Sequence, residues 1–172
     1  ADDRAQDEAD AVNMKLIGSA ASNGCSATRA EIREDLQAFA QQIKKVIKSN
    51  TEWREMLTNH QFYILREEGT ESPFTSSLND EKRVGEYLCV ACKTPLFSSK
   101  MKYDSGTGWP SFFEHYPNVI ATKLDFKLLI PRTEYHCAIC GGHQGHVFDD
   151  GPKPTGKRYC NNGASLTFVP KA

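Results

Sequence analysis

Cys89-Val90-Ala91-Cys92 and Cys137-Ala138-Ile139-Cys140 decide how this sequence folds on paper. In each, a two-residue gap lets both thiolates turn toward one ion, and two such knuckles complete a closed tetrahedral site. Turn formers follow both: Lys93-Thr94-Pro95 after the first knuckle and Gly141-Gly142 after the second. A redox Cys-x-x-Cys would need a thioredoxin-like βαβ setting, which neither pair has. A pair of disulfides is the other rival, and only six cysteines in a chain of 172 residues argue against a disulfide-knit scaffold. The expectation is one structural Zn2+ per chain, held by Cys89, Cys92, Cys137 and Cys140. With four sulfurs and no open position, such an ion staples the fold and does not run a reaction.

Outward from the knuckles the texture is that of short strands. Tyr87-Leu88-Cys89-Val90, Val119-Ile120-Ala121-Thr122, Tyr135-His136-Cys137, His146-Val147-Phe148 and Ser165-Leu166-Thr167-Phe168-Val169 are aromatic or β-branched. Gly, Pro and Asp clusters separate them, and no long helices alternate with them, which predicts antiparallel sheets. Upstream the pattern is helical. Ser49-Asn50-Thr51-Glu52 leads into Trp53, Met56 and Leu57, and Asn59 is positioned to cap a turn carrying Phe62, Tyr63 and Leu65, closed by Gly69. Thr28-Arg29-Ala30-Glu31 matches a capping box, followed by Ile32, Leu36, Phe39, Ile43 and Val46 at helical spacing. That predicts an amphipathic helix over 28–48, docked on the domain behind it. Residues 1–27 are polar and rich in small side chains, which predicts a mobile arm. The chain from 49 to 172 is then the zinc-containing domain.

Bulk numbers narrow the function. A formal net charge of −1 gives no electrostatic reason to bind nucleic acid or an anionic membrane. Mean hydropathy is −0.54, and no run approaches the ~18–20 apolar residues of a membrane span. The start at Ala1 has no initiator Met and no signal-peptide pattern. A cytoplasmic protein is expected, or one of a mitochondrion or other organelle after removal of a targeting segment. Only the Ile32–Val46 stripe hints at self-association, so a monomer is the default.

Once the four ligands are set aside, Cys25 and Cys160 remain. Cys160 lies in Arg158-Tyr159-Cys160-Asn161-Asn162 before the final strand. Residues two apart in a strand share a face, so Arg158, Cys160 and Asn162 are expected on one side. Arg158 would favour the thiolate, the nucleophilic form of cysteine, and Asn162 would supply hydrogen bonds. His143-Gln144-Gly145-His146 places two imidazoles nearby, the side chain best matched to proton transfer near neutral pH. Taken alone, each has a plainer reading: a buried structural thiol, a second metal pair, or histidines satisfied in the core.

In combination these segments are more specific. Tyr103-Asp104-Ser105-Gly106-Thr107-Gly108-Trp109-Pro110-Ser111-Phe112, Arg132-Thr133-Glu134, the run from Cys140 to Pro152 and Arg158 to Asn162 closely resemble the methionine-R-sulfoxide reductase B family. The resemblance extends over roughly residues 50–170 and includes both knuckles. It implies a fold that is mainly β with N-terminal helices, two antiparallel β-sheets stapled by the structural four-cysteine zinc site. It implies Cys160 as nucleophile, passing through a sulfenic acid, and methionine R-sulfoxide, free or in oxidised proteins, as substrate. Trp109 is expected to pack on the substrate methyl group. His146 and Asn162 are expected to orient the sulfoxide oxygen, with His143 and Arg158 in support.

Thr107 stands where many family members carry a recycling cysteine. That leaves Cys25 as the internal candidate for resolving the sulfenic acid through a Cys25–Cys160 disulfide, or thioredoxin or another external thiol acting directly. Gln144 replaces the usual Leu and is expected at the surface. Gly163 replaces the usual Ser and is expected to loosen the strand. The reading from another class is a non-catalytic zinc-centred β module that binds a ligand or protein. It has no need for Cys160, His146, Asn162 and Trp109 together.

Overall fold

The computed structural model describes residues 28–33 and 44–172. Residues 29–33 are helical, and the Thr28–Glu31 capping box forms: Thr28 N–H donates to Glu31 at 2.7 Å, and Glu31 N–H donates to the Thr28 hydroxyl at 3.3 Å. Leu36, Phe39, Ile43, Cys25 and the arm expected over 1–27 lie outside the described residues. The helix expected over 28–48 is corrected at its C-terminal end, because residues 44–49 carry no helix. Val46 donates its N–H to the carbonyl of Ile139 in the second knuckle, at 2.8 Å. An N–H spent on that partner cannot serve a helix.

The remainder, from Lys45 to Ala172, is one compact unit. Helix α1, Asn50–Met56, is capped by Ser49 and Glu52 and buries Trp53 completely. Helix α2, Asn59–Glu67, buries Phe62, Ile64 and Leu65. Its cap is Thr58, one residue before the expected Asn59, since the Thr58–Gln61 pair closes a capping box of its own. The left-handed residue ending α2 is Glu68, at φ 55°. Gly69 comes next and completes the stop by donating to Tyr63 O at 3.0 Å, where a Cβ would run into the Tyr63 ring.

Nine strands follow: β1 Gly85–Cys89, β2 Pro95–Ser98, β3 Lys102–Tyr103, β4 Ser111–Phe112, β5 Ile120–Asp125, β6 Arg132–Cys137, β7 His143–Phe148, β8 Arg158–Asn161 and β9 Leu166–Pro170. They form two sheets, β2-β1-β9 and β3-β4-β8-β7-β6-β5. Every pairing between them is antiparallel. The expected mainly β fold with two antiparallel sheets is what forms. Aromatic rings cement the core: Phe97 of β2 stacks on Phe112 of β4 at 4.0 Å, and Tyr135 meets Phe97 edge-on. Such pairs contribute about 0.5–1.5 kcal/mol each beyond area burial. Among the described residues, no helix is long and apolar enough to cross a membrane.

The two knuckles grow from different sheets. The first begins at the last residue of β1, in the small sheet, and the second at the last residue of β6, in the large one. Both turn alike. Lys93 donates to Cys89 O and Gly141 to Cys137 O, each at 2.8 Å, from left-handed residues at φ 63° and 76°.

Candidate active site

β7 and β8 pair so that Cys160 stands directly opposite His146. Opposed residues of antiparallel strands share a face, with Cβ atoms about 4.5–5.5 Å apart. On that face opens a cavity of about 150 Å³ lined by Cys160, His146, Trp109, Asn162, Arg158, Thr107 and Arg132. Hollows of about 620, 610 and 190 Å³ are larger, but none of them touches a cysteine. Convergent chemistry singles out the small one.

Trp109 reaches the cavity from the loop before β4. Gly106 and Gly108 make the approach at φ 72° and 94°, a region few side-chain-bearing residues adopt. The indole N–H then donates to Glu71 O at 3.0 Å, which fixes the ring as a wall.

His146 is held by Asp125, whose Oδ2 lies 2.7 Å from Nε2. The same Oδ2 accepts from Arg132 at 3.2 Å. The His146 hydrogen bond, aided by the Lys127 backbone N–H, holds the Asp125 carboxyl down at about 2. An ionised acceptor makes Nε2 the protonated nitrogen and leaves the ring's lone pair on Nδ1. Burial pulls His146 below the usual histidine value, and Asp125 only partly restores it.

Arg158 acts on Cys160 in the expected direction, toward thiolate, but burial is the larger influence. Burial pushes the thiol above its ordinary range, and Arg158 and the Thr107 hydroxyl only partly oppose this. Arg158 is itself engaged: it forms a two-pronged pair with Asp150 at 2.8 and 3.1 Å and lies over the Phe148 ring at 4.2 Å. A neutralised guanidinium is a weaker stabiliser of a second anion. Both shifts favour a thiol beside a neutral imidazole near neutral pH. Iodoacetamide labelling followed peptide by peptide should modify Cys160 slowly at neutral pH and faster as pH climbs past the usual thiol range. Arg158→Gln should move that rise to still higher pH; a rate already at its plateau at neutral pH would contradict the assignment.

Asn162 lines the cavity, but its amide also builds the site. It donates to Gln144 O at 3.0 Å and accepts from Glu71 N–H at 3.0 Å, leaving its second amide hydrogen for a ligand. His143 does not line the cavity. It is buried against Glu134 at 2.7 Å, its ring 5.6 Å from that of His146, with Nε2 unpaired. Glu134 also receives His136 at 3.1 Å, and these bonds outweigh its burial to hold the carboxyl at about 2.

Gln144 is not at the surface. It is fully buried, donating to Cys89 Sγ at 3.5 Å and accepting from Asn161 at 3.1 Å. Its side chain thus links the cysteine cluster to the residue after Cys160. Gly163 lies in a turn after β8, not in a strand, and a Cβ there would come within 1.9 Å of the Ser76 hydroxyl. Here the Ser76 side chain occupies the space that a side chain at 163 would need.

Asp125, Glu71 and Asp150 escaped the sequence reading. Glu71, buried, accepts N–H bonds from Gly163 and Ala164 while its own backbone holds Asn162 and Trp109. No local pattern marks it. Asp125 and Arg132 had a weak signal, as opposite charges flanking the turn between β5 and β6.

The four knuckle cysteines do come together: their Sγ atoms all lie within 4.8 Å of one another. The Cys89–Cys140 and Cys92–Cys137 separations are both 3.6 Å, far beyond the ~2.05 Å of a disulfide. Crowded thiols cannot all ionise unaided. The bond to Cys137 pushes Cys89 up and pulls Cys92 down. A cation at the centre removes that conflict.

The model of the SelR domain matches residues 57–170. Over 119 residues the chain is 54% identical to "Peptide methionine sulfoxide reductase B1, chloroplastic" of Arabidopsis thaliana, covering 69% of this chain and 59% of that protein. It is 52% and 53% identical over 127 residues to "Peptide methionine sulfoxide reductase MsrB" of Hahella chejuensis and of Agrobacterium fabrum, spanning 91% and 94% of those proteins. The chain thus spans just over half of the plant relatives it matches and nearly all of the bacterial ones. The motifs around Cys160, the two-sheet fold and these matches agree, and the chain belongs to the SelR-domain family, that of the methionine-R-sulfoxide reductases B.

Proposed function

We propose that this chain reduces methionine R-sulfoxide, free or within oxidised proteins, to methionine, with Cys160 as nucleophile. The observation that carries this reading is a thiol, an imidazole and an indole converging on one small cavity. The indole face suits the substrate's methyl group, and it turns the sulfoxide sulfur toward Cys160.

The proton inventory supports the same reading. At rest the thiol holds the one proton that the reaction needs. His146 Nδ1 accepts it from Cys160 and delivers it to the sulfoxide oxygen as the thiolate attacks sulfur. The hydroxyl then passes from the methionine sulfur to Cys160 Sγ as the new S–S bond and the old S–O bond both break. Methionine leaves, and Cys160 carries the oxygen as a sulfenic acid. Asp125 steadies the imidazolium in between, and Asn162 offers its remaining amide hydrogen to the oxygen. His146→Gln should therefore lower turnover by about 10²–10⁴-fold. Asp125→Asn should lower it by roughly 10²-fold or more, since an amide can hold the wrong tautomer. Circular dichroism checks that both variants remain folded.

A thiol then attacks the sulfenic sulfur, expels water and leaves a disulfide that a second thiol reduces. Thioredoxin or another external thiol supplies these equivalents, directly or through a Cys25–Cys160 disulfide. Cys89, Cys92, Cys137 and Cys140 hold one structural zinc. A tetrahedral shell at 2.3 Å has S–S edges of about 3.8 Å, close to the 3.6 Å found. Thiols that must stay reduced suit the cytoplasm or an organelle interior, and the protein acts there as a monomer.

The test uses the separated R and S sulfoxides of a blocked methionine with dithiothreitol as reductant. Turnover of R alone is expected. Equal turnover of both epimers, or of neither, would overturn the reading.

A further inference from the structure

The hairpin between β5 and β6 carries an apolar finger that nothing covers among the described residues. Phe126, Leu128, Leu129 and Ile130 are 69%, 58%, 104% and 77% exposed, and Leu124 at the end of β5 adjoins them. Scattered exposed apolar residues are ordinary, but five within seven positions of one hairpin mark an interaction surface.

The finger is rooted at the candidate active site. Asp125 and Arg132 face each other across its base and bond at 3.2 Å. Asp125 grips His146, and Arg132 lines the cavity. On the outer side Lys123 and Lys127 both pair with Glu68 at the end of α2. Those pairs tether the hairpin and take its charges away from the apolar run. The cavity, at about 150 Å³, has room for little more than one side chain. When the reacting residue belongs to a polypeptide, its neighbours must lie around the cavity mouth, and Arg132, which lines the cavity, is the base of this hairpin.

We propose that residues 124–130 dock the apolar side chains flanking the reacting residue in an extended polypeptide, so that the enzyme favours apolar sequence contexts. This rests on the reading above, which supplies the reacting residue. The occupant follows from continuity: the residues at the base of the finger are those that hold His146 and line the cavity.

The experiment compares R-sulfoxide turnover in three substrates: a blocked single methionine, a peptide with Leu, Phe and Val around it, and one with Gly and Ser. The full chain is set beside a variant carrying Phe126→Ser, Leu129→Ser and Ile130→Ser, all at surface positions whose loss should spare the core. In the wild type the apolar peptide should exceed the polar one roughly tenfold in kcat/KM, the gain expected from covering a few apolar side chains. The variant should bring that ratio near one while turning over the blocked methionine within about twofold of wild type. A ratio near one in the wild type, or one that survives in the variant, overturns the proposal. A wild-type dimer that the variant breaks while keeping the ratio overturns it too, since the finger is then a self-association surface. If the blocked methionine is not turned over at all, the catalytic reading falls by itself. Fluorescence anisotropy of a labelled apolar peptide with norleucine at the reacting position then decides docking: weaker binding to the variant supports it, and equal binding refutes it.

Discussion

Cys160→Ser is expected to abolish turnover, by on the order of 10⁴-fold or more, while leaving the fold intact. The loss follows from chemistry, because a serine hydroxyl is far less acidic than a thiol and cannot take oxygen to form a sulfenic acid. The fold should tolerate the change. Cys160 is only half-buried, its backbone pairs in register with Ser111 and His146 on either side, and no cluster thiol depends on it. A change in stability of no more than about 1 kcal/mol is expected. The check combines turnover of the R epimer, a thermal melt and trapping of the sulfenic acid with dimedone. Adduct formation at Cys160 should appear in the wild type after substrate and vanish in the variant. Persisting activity, or an adduct elsewhere, would move the chemistry to another residue.

Cys137→Ser is expected to have the largest effect on stability. Cys137 is fully buried, ends β6 and sits 3.6 Å from Cys92, at the end of the first knuckle. Structural zinc in small domains contributes about 10–16 kcal/mol of apparent binding free energy. A whole domain is held by only about 5–15 kcal/mol net. Losing even half the site therefore removes most of that margin. The tie between the small sheet at β1 and the large sheet at β6 should fail first. The variant is expected to purify without stoichiometric zinc and to melt far below the wild type, or to be insoluble. Strong chelation of the wild type should reproduce this, and zinc restored to the chelated protein should reverse it. Serine at this position with unchanged metal content and melting temperature would show that the cluster is not a staple.

Much of the fold was legible because it rests on local signals. Two Cys-x-x-Cys pairs followed by turn residues require little context, since the spacing alone brings two sulfurs to one point. Short β-branched and aromatic segments between Gly and Pro marked β1, β5, β6, β7 and β9 to within a few residues. Capping residues marked the helix starts to within a residue: at α2 the cap is Thr58 and not the expected Asn59, because Thr58 has Gln61 as a partner three residues on.

Gln144 shows where alternation fails. Residues 143–146 of β7 are all buried, because the cavity lies on one face and α2 packs on the other. A strand covered on both sides loses the period-two signal, so a polar residue within it reads as exposed when it is not. Gly163 misled for a related reason: the atom that excludes its side chain belongs to Ser76, far away in the chain. The ionisation of Cys160 depends on how much burial outweighs one neighbouring arginine, and on whether that arginine is already paired. Such a balance cannot be read from Arg158 standing two residues away.

By itself, then, the sequence determined the clustering of four cysteines, the strand-rich domain around them and that Cys25 and, before the last strand, Cys160 lie outside the cluster, since all three follow from residue type and spacing along one chain. The tertiary structure alone decided what surrounds Cys160. Asp125 behind His146, with Arg132 beside it at the cavity wall, and Glu71 bonded to Trp109 and Asn162 are brought there by strands and loops far apart in sequence. Proton affinity and burial depend on atoms within a few ångströms in space, and chain distance carries no record of them.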